Sequence, residues 1–280
     1  MDLLVSTGWL ESELGASDLR VIDSTLFLPG SGRNARREYE AEHIPGALFM
    51  DLDEIVDSDS PLPHMVPPQH KFASRMQSLG LADGQRLVVY DNSPLHSSAR
   101  AWWMLRLFGA REVAILDGGL AKWKAEGRPL ESGNPALRRG HFTARLDRAA
   151  VADKAFVAGA LEEGGWEIAD ARPASRFAGE DPEPRPGLRP GHIPGSKCLP
   201  QSTLFDADNS WKRGDALGSA FADAGVDLGK PLVATCGSGI TAAVLVFGAH
   251  LLGKEDVKLY DGSWSEWGAD PDTPKATGRA

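Results

Sequence analysis

The stretch EHIPGALFMDLDEI, residues 42–55, returns later in the chain as GHIPGSKCLPQSTL, residues 191–204, with His43-Ile44-Pro45-Gly46 matched by His192-Ile193-Pro194-Gly195. Taken alone, His-x-Pro-Gly is ordinary turn chemistry. Working outward, VAILDGGLAKW (113–123) is echoed by VKLYDGSWSEW (257–267), each with a Trp six residues after the Asp of Asp-Gly. Toward the start of each half, LRVIDST (19–25) matches WEIADAR (166–172), which puts Asp23 and Asp170 at the ends of short apolar runs. Three pairs in the same order at nearly one offset indicate a duplication, which decides the architecture before any single motif is read.

Each half alternates strand and helix signals. RLVVYD (86–91), SARAWWMLRLFG (98–109) and VAILD (113–117) read as buried strand, helix and strand. PLVAT (231–235), TAAVLVFGAHLLG (241–253) and VKLYD (257–261) repeat that order. Strands that are apolar throughout, joined through helices, predict α/β domains, each a mostly parallel sheet flanked by helices. The expected division is a first domain over 1–130, a linker rich in Pro, Gly, Arg and Asp over 131–152, and a second domain over 153–280. GRNARREYEAEHIPG (32–46) reads as a helix with paired charges on its exposed face.

Composition narrows the function classes. The 280 residues are 42% hydrophobic and 25% charged, and no apolar run approaches the roughly 20 residues of a membrane span. The N-terminal MDLLVSTGWLESEL lacks a basic segment followed by a long apolar one, so a cytoplasmic protein is expected. A formal charge of −9 argues against nucleic acid or an anionic membrane as the main partner. Two cysteines, Cys198 and Cys236, make neither a disulfide framework nor a multi-thiolate zinc site. Cys198, in SKCLPQ, reads as a core residue near a strand end.

Cys236 differs because it closes a buried strand, where open α/β sheets place their ligands. The Gly237-Ser238-Gly239-Ile240 that follows is a tight turn able to aim successive amides at one point, and the helix expected from about Thr241 adds its unsatisfied N–H groups. Such a cradle favours an anion and hence the nucleophilic thiolate. A cysteine phosphatase would need an Arg six residues after the Cys to grip phosphate; that position is Ala242. Sulfur transfer has no such need, because a persulfide is itself an anion the amides can hold.

The duplication, the two His-Ile-Pro-Gly segments, LDGG, YDGSW and above all CGSGITA resemble the two-domain rhodanese-like sulfurtransferases over nearly the whole chain. Within that family the neutral loop is similar to the branch acting on 3-mercaptopyruvate, Ile240 standing where Val is commoner; thiosulfate-using members carry Arg and Lys in it. The resemblance implies that Arg176 and Arg185 bind the donor's carboxylate and keto oxygens, and that Ser238, His64 and Asp53 form a Ser-His-Asp group. It also implies that Gly237, Gly239, Ile240 and Thr241 line the sulfur site. Read as residues alone, the two arginines could be solvated loop cations, and His64 a surface histidine. Asp91 occupies the repeat position of Cys236, so the first half is expected to be catalytically silent. The implied reaction uses a small-molecule donor and cyanide, a small thiol or a thioredoxin-like protein as acceptor, with no metal or organic cofactor. Two alternatives stay open: a thiosulfate:cyanide sulfurtransferase, and a sulfur-carrying or scaffold protein without turnover. Trp264 and Trp267 read as core.

Overall fold

The computed structural model describes residues 1–135 and 139–278. Residues 136–138 of the expected linker and 279–280 of the expected second domain lie outside the described residues. The chain divides into two compact units. The first comprises Met1–Asp57, Val66–Asp147 and Ala207–Ser210; the second comprises Ser58–Met65, Arg148–Asp206 and Trp211–Ala280.

In the first unit, strands β1 (Leu4–Val5), β2 (Leu19–Asp23), β3 (Leu48–Phe49), β4 (Arg86–Tyr90) and β5 (Val113–Leu116) form a parallel sheet in the order β1-β5-β4-β2-β3. Helices α1 (Thr7–Glu13), α2 (Ala35–Ala41), α3 (Gln69–Ser78), α4 (Ser98–Leu107) and α5 (Gly119–Ala125) alternate with those strands. The second unit repeats the plan with β6 (Val151–Ala152), β7 (Glu167–Asp170), β8 (Lys197–Cys198), β9 (Leu232–Thr235) and β10 (Val257–Tyr260), in the order β6-β10-β9-β7-β8. Its helices are α6 (Lys154–Glu163), α7 (Ala174–Ala178), α8 (Gly214–Asp223), α9 (Ala242–Leu251) and α10 (Ser263–Trp267). Renumbering each unit from one gives the same strand order, 1-5-4-2-3, so the repeat seen in sequence is a repeat of topology.

The central strands are buried along their length, as the uninterrupted apolar runs require: Leu87 to Tyr90 and Leu232 to Thr235 are all inaccessible. Helix α9 is buried from Ala242 to Ala249, which explains why its apolar residues show no face preference. Trp264 and Trp267 lie in the second unit's core with Ile193, Val233 and Tyr260, as expected. The charged segment forms α2, with Arg33 and Arg36 lying over Phe27 and Phe49. Part of the stretch read as linker is built into the units. Arg145 N–H donates to Phe108 O and Asp147 N–H to Leu107 O in the first, while Val151 and Ala152 pair with β10 in the second. Among the described residues no helix is long and apolar enough to cross a membrane.

Candidate active site

Strand β9 delivers Cys236 into a buried position at its carboxyl end, and α9 begins at Ala242. The Gly239 N–H donates to Cys236 Sγ at 3.1 Å. Gly239 has φ +78°, a conformation a side chain would strain, so the turn that brings this amide onto sulfur needs glycine there. The carbonyls of Cys236 and Gly237 accept from the Trp264 and Ser265 amides, both at 2.9 Å. Thr241 occupies the N-cap of α9 without a side-chain cap bond, and Ile240 is buried.

Ser238 is buried, and its Oγ lies 2.9 Å from His64 Nδ1. His64 belongs to the second unit through the Ser58–Met65 segment, and it holds φ +60°. A non-glycine residue at positive φ is uncommon, and the ring's approach to Ser238 is the contact this backbone supports. Asp53 stands exposed in the first unit, its amide donating to Asp51 Oδ1 at 3.1 Å.

Arg176, on α7, lies against the residue after the thiol: a Cβ on Gly237 would come 3.2 Å from Arg176 Nη2. That nitrogen donates to Glu183 Oε2 at 2.5 Å, while Arg176 Nε is buried with no hydrogen-bond partner. Glu183 Oε1 accepts from Arg172 Nη1 at 2.7 Å, and Arg172 grips Asp170 through Nε and Nη2, with Nη2 also donating to Gly191 O. Asp170, Arg172 and Glu183 side chains are 1%, 1% and 2% exposed. Burial alone would lower the Arg172 pKa, but Asp170 and then Glu183 raise it, so the cation is held firmly. Its guanidinium also lies 4.5 Å from the Trp264 ring centroid. The chain Asp170–Arg172–Glu183–Arg176 therefore alternates in charge from the core to the loop. Arg185, half-buried, follows Glu183 by two residues.

A family profile for the rhodanese-like domain matches residues 6–126 and again 154–270. The chain belongs to the rhodanese-like family. It is 44% identical over 271 residues to the 3-mercaptopyruvate sulfurtransferase of Escherichia coli K12, covering 96% of both chains. It is 40% identical over 292 residues, covering 97% of this chain and 77% of the other, to thiosulfate/3-mercaptopyruvate sulfurtransferase 1 of Arabidopsis thaliana. Among solved structures it resembles Escherichia coli SseA, described as having the rhodanese fold, with a TM-score of 0.87 and 42% identity over 95% of this chain and all of that one.

Three further residues are tied by hydrogen bonds to the predicted ones and are not singled out by the sequence pattern: Glu183 accepts from Arg172 and Arg176, and Ser263 Oγ accepts the Cys236 amide. A signal for Arg172 was present, because the repeat aligns Asp23-Ser24-Thr25 with Asp170-Ala171-Arg172 and only the second carries a cation. Cys198 corrects the expectation of a core cysteine. It is half-buried on β8, one of the two edge strands of the second sheet. Burial, with Asp170 adding, pushes its thiol up to about 11, which leaves it un-ionised and a poor nucleophile at neutral pH. Since β7 lies between β8 and β9, Cys198 is two strands removed from β9, which leads into Cys236.

Proposed function

We propose that this protein moves sulfur from 3-mercaptopyruvate, through a persulfide on Cys236, to cyanide, a small thiol or a thioredoxin-like protein, and releases pyruvate. The observation that carries the reading is the buried Cys236 sulfur receiving the Gly239 amide, in a loop without a basic side chain, with the Arg176 guanidinium packed against Gly237. The 3-mercaptopyruvate sulfurtransferase name of a relative that matches along almost its whole length supports the same donor.

In this mechanism the Cys236 thiolate attacks the donor sulfur. An S–S bond forms, the C–S bond breaks, and its electron pair leaves on carbon as pyruvate enolate. Carbon is then protonated, and the new persulfide loses its proton to remain as Cys-S-S⁻. Cyanide takes the outer sulfur as thiocyanate, or a thiolate takes it as a persulfide, and the Cys236 thiolate returns. Arg176 and Arg185 orient the carboxylate and keto oxygens, and the unpartnered Arg176 Nε is a donor suited to that task. The amides of residues 237–241 hold the anionic sulfur. Ser238 and His64 assist the movement of the proton to or from the enolate. The first unit is catalytically silent, with Asp91 in place of the cysteine. The cytoplasm, which keeps thiols reduced, suits a chain whose two cysteines are both free.

Steady-state turnover with 3-mercaptopyruvate and thiosulfate as rival donors tests the reading. It expects pyruvate release with a higher kcat/KM for 3-mercaptopyruvate. A preference for thiosulfate assigns the chain to the other branch, which the Arabidopsis relative's double name also covers. A persulfide that forms but passes to none of the acceptors marks a sulfur carrier.

A further inference from the structure

We propose that Ser263 and Ser265, in the first turn of α10, are positioning residues that aim the amides of the Cys236 loop at its sulfur. The inference rests on Cys236 being the sulfur-carrying nucleophile and concerns how its cradle is held. A trans peptide places N–H opposite C=O. The Cys236 carbonyl is fixed by the Trp264 amide, so the Gly237 N–H is turned to the opposite side. The Gly237 carbonyl is fixed by the Ser265 amide at 2.9 Å and again by Ser265 Oγ at 2.6 Å, which turns the Ser238 N–H in the same way. Ser263 Oγ accepts the Cys236 N–H at 3.2 Å and donates to Tyr260 O at 2.7 Å, tying the start of the loop to the end of β10.

The backbone of Ser263 makes this more than incidental packing. Ser263 has φ +48°, whereas the matching position of the first unit is Gly119 at φ +56°. The match is set by Trp264 N–H donating to Cys236 O where Leu120 N–H donates to Asp91 O. A Cβ on Gly119 would lie 2.5 Å from Asp91 O, so the first unit has no room for a side chain there. The second unit carries a hydroxyl side chain in a conformation that glycine would adopt more easily, and that hydroxyl lies beneath the Cys236 amide. Strain retained at a contact with the reactive residue points to a task for the side chain.

The test compares Ser263→Gly, Ser265→Ala and the parent by three readouts: the rate of Cys236 alkylation by iodoacetamide, the kcat and KM for 3-mercaptopyruvate, and the thermal midpoint. Ser263→Gly permits the positive φ and removes the CH2OH side chain, and with it the hydroxyl that holds the Cys236 amide. It should slow alkylation and lower kcat by roughly tenfold, the scale of one hydrogen bond, with KM within about twofold of the parent. Ser265→Ala keeps the amide bond to Gly237 and should lose less, about two- to threefold. Should the glycine variant not fold, the alanine variant still decides, because its loss must appear in alkylation and kcat without a change in KM. Alkylation at the parent rate in the folded variants overturns the proposal, as does a raised KM with normal alkylation or a lowered midpoint with normal rates. Turnover retained by Cys236→Ser would instead sink the underlying reading.

Discussion

The two units carry one fold with two endings to the same loop. After β4 the chain places Asp91, whose carboxylate accepts from the Ser93 amide at 2.9 Å and from the Ser98 amide, at the first residue of α4, at 2.8 Å. After β9 it places Cys236; the N-cap residues of the two helices, Ser97 and Thr241, make no side-chain cap bond in either unit. Both helices present unsatisfied amides and a positive dipole end to the loop. The first unit fills that place with its own carboxylate. The second puts there a sulfur able to become an anion, and it reaches its helix one residue sooner: α4 begins seven positions after Asp91, α9 six after Cys236. A built-in anion makes a structural cap; a thiol makes a reactive one.

Nearby positions change in keeping. His43 Nδ1 approaches Tyr39 O and stacks on that ring, and His192 Nδ1 approaches Phe177 O and stacks likewise. The residue before the aromatic is Glu38 in the first unit, paired to Arg33, and Arg176 in the second. Asp23 and Asp170 each accept from the amide two residues on, at 2.9 and 3.0 Å, but that residue is Thr25 in one unit and Arg172 in the other. Without the guanidinium, burial pushes the Asp23 carboxyl up to about 6, with Asp91 adding and bonds from Thr25 and Tyr90 opposing. The second unit thus carries Arg172 and Arg176 where the first has the neutral Thr25 and the carboxylate Glu38.

The comparison breaks most visibly at Arg176. Arg176→Ala removes charge-assisted bonds of about 1.5–3 kcal/mol, so kcat/KM for 3-mercaptopyruvate should fall roughly 10- to 150-fold. Iodoacetamide, which is uncharged, should still alkylate Cys236 at close to the parent rate. If both fall together, Arg176 holds the loop in shape and does not bind the donor. If neither falls, the exchange of Glu38 for Arg176 has no catalytic meaning.

A smaller effect sharpens the contrast between Asp23 and Asp170. With its folded value near 6 and an unfolded value of 3.8, Asp23 binds more protons folded than unfolded between those limits. Stability is therefore lost as pH rises from about 4 to 6 and stays low above it. Two pKa units correspond to about 3 kcal/mol, an upper figure for what the ionised group costs at neutral pH. Asp23→Asn should raise the thermal midpoint at pH 7.5 and bring little or no gain at pH 4. An equal change at both pH values would show that Asp23 does not titrate as a buried, unpaired carboxylate.

The repeat and the parallel sheets were legible because burial of both sheet faces writes continuous apolar runs, and because His-Ile-Pro-Gly and Asp-Gly turns recur in order. The cradle was legible because a Gly-x-Gly turn between strand and helix leaves few alternatives. Glu183 was not, since a carboxylate in DPEPRPG reads as solvated until Arg172 and Arg176 converge on it from either side. Ser263 was hidden for a different reason: its task depends on a backbone φ that no residue pattern announces. Cys198 failed in the opposite direction, a thiol assigned to the core that the sheet order leaves at an edge.

The claim that one unit carries sulfur and the other only its own carboxylate is tested most directly by mass spectrometry of the protein after a single turnover with 3-mercaptopyruvate and no acceptor. The account predicts one added sulfur atom per chain, located by peptide mapping on Cys236, with one pyruvate released, and neither in Cys236→Ser. It also predicts that Cys198→Ser behaves like the parent. Sulfur found on Cys198, or pyruvate released by Cys236→Ser, would contradict it.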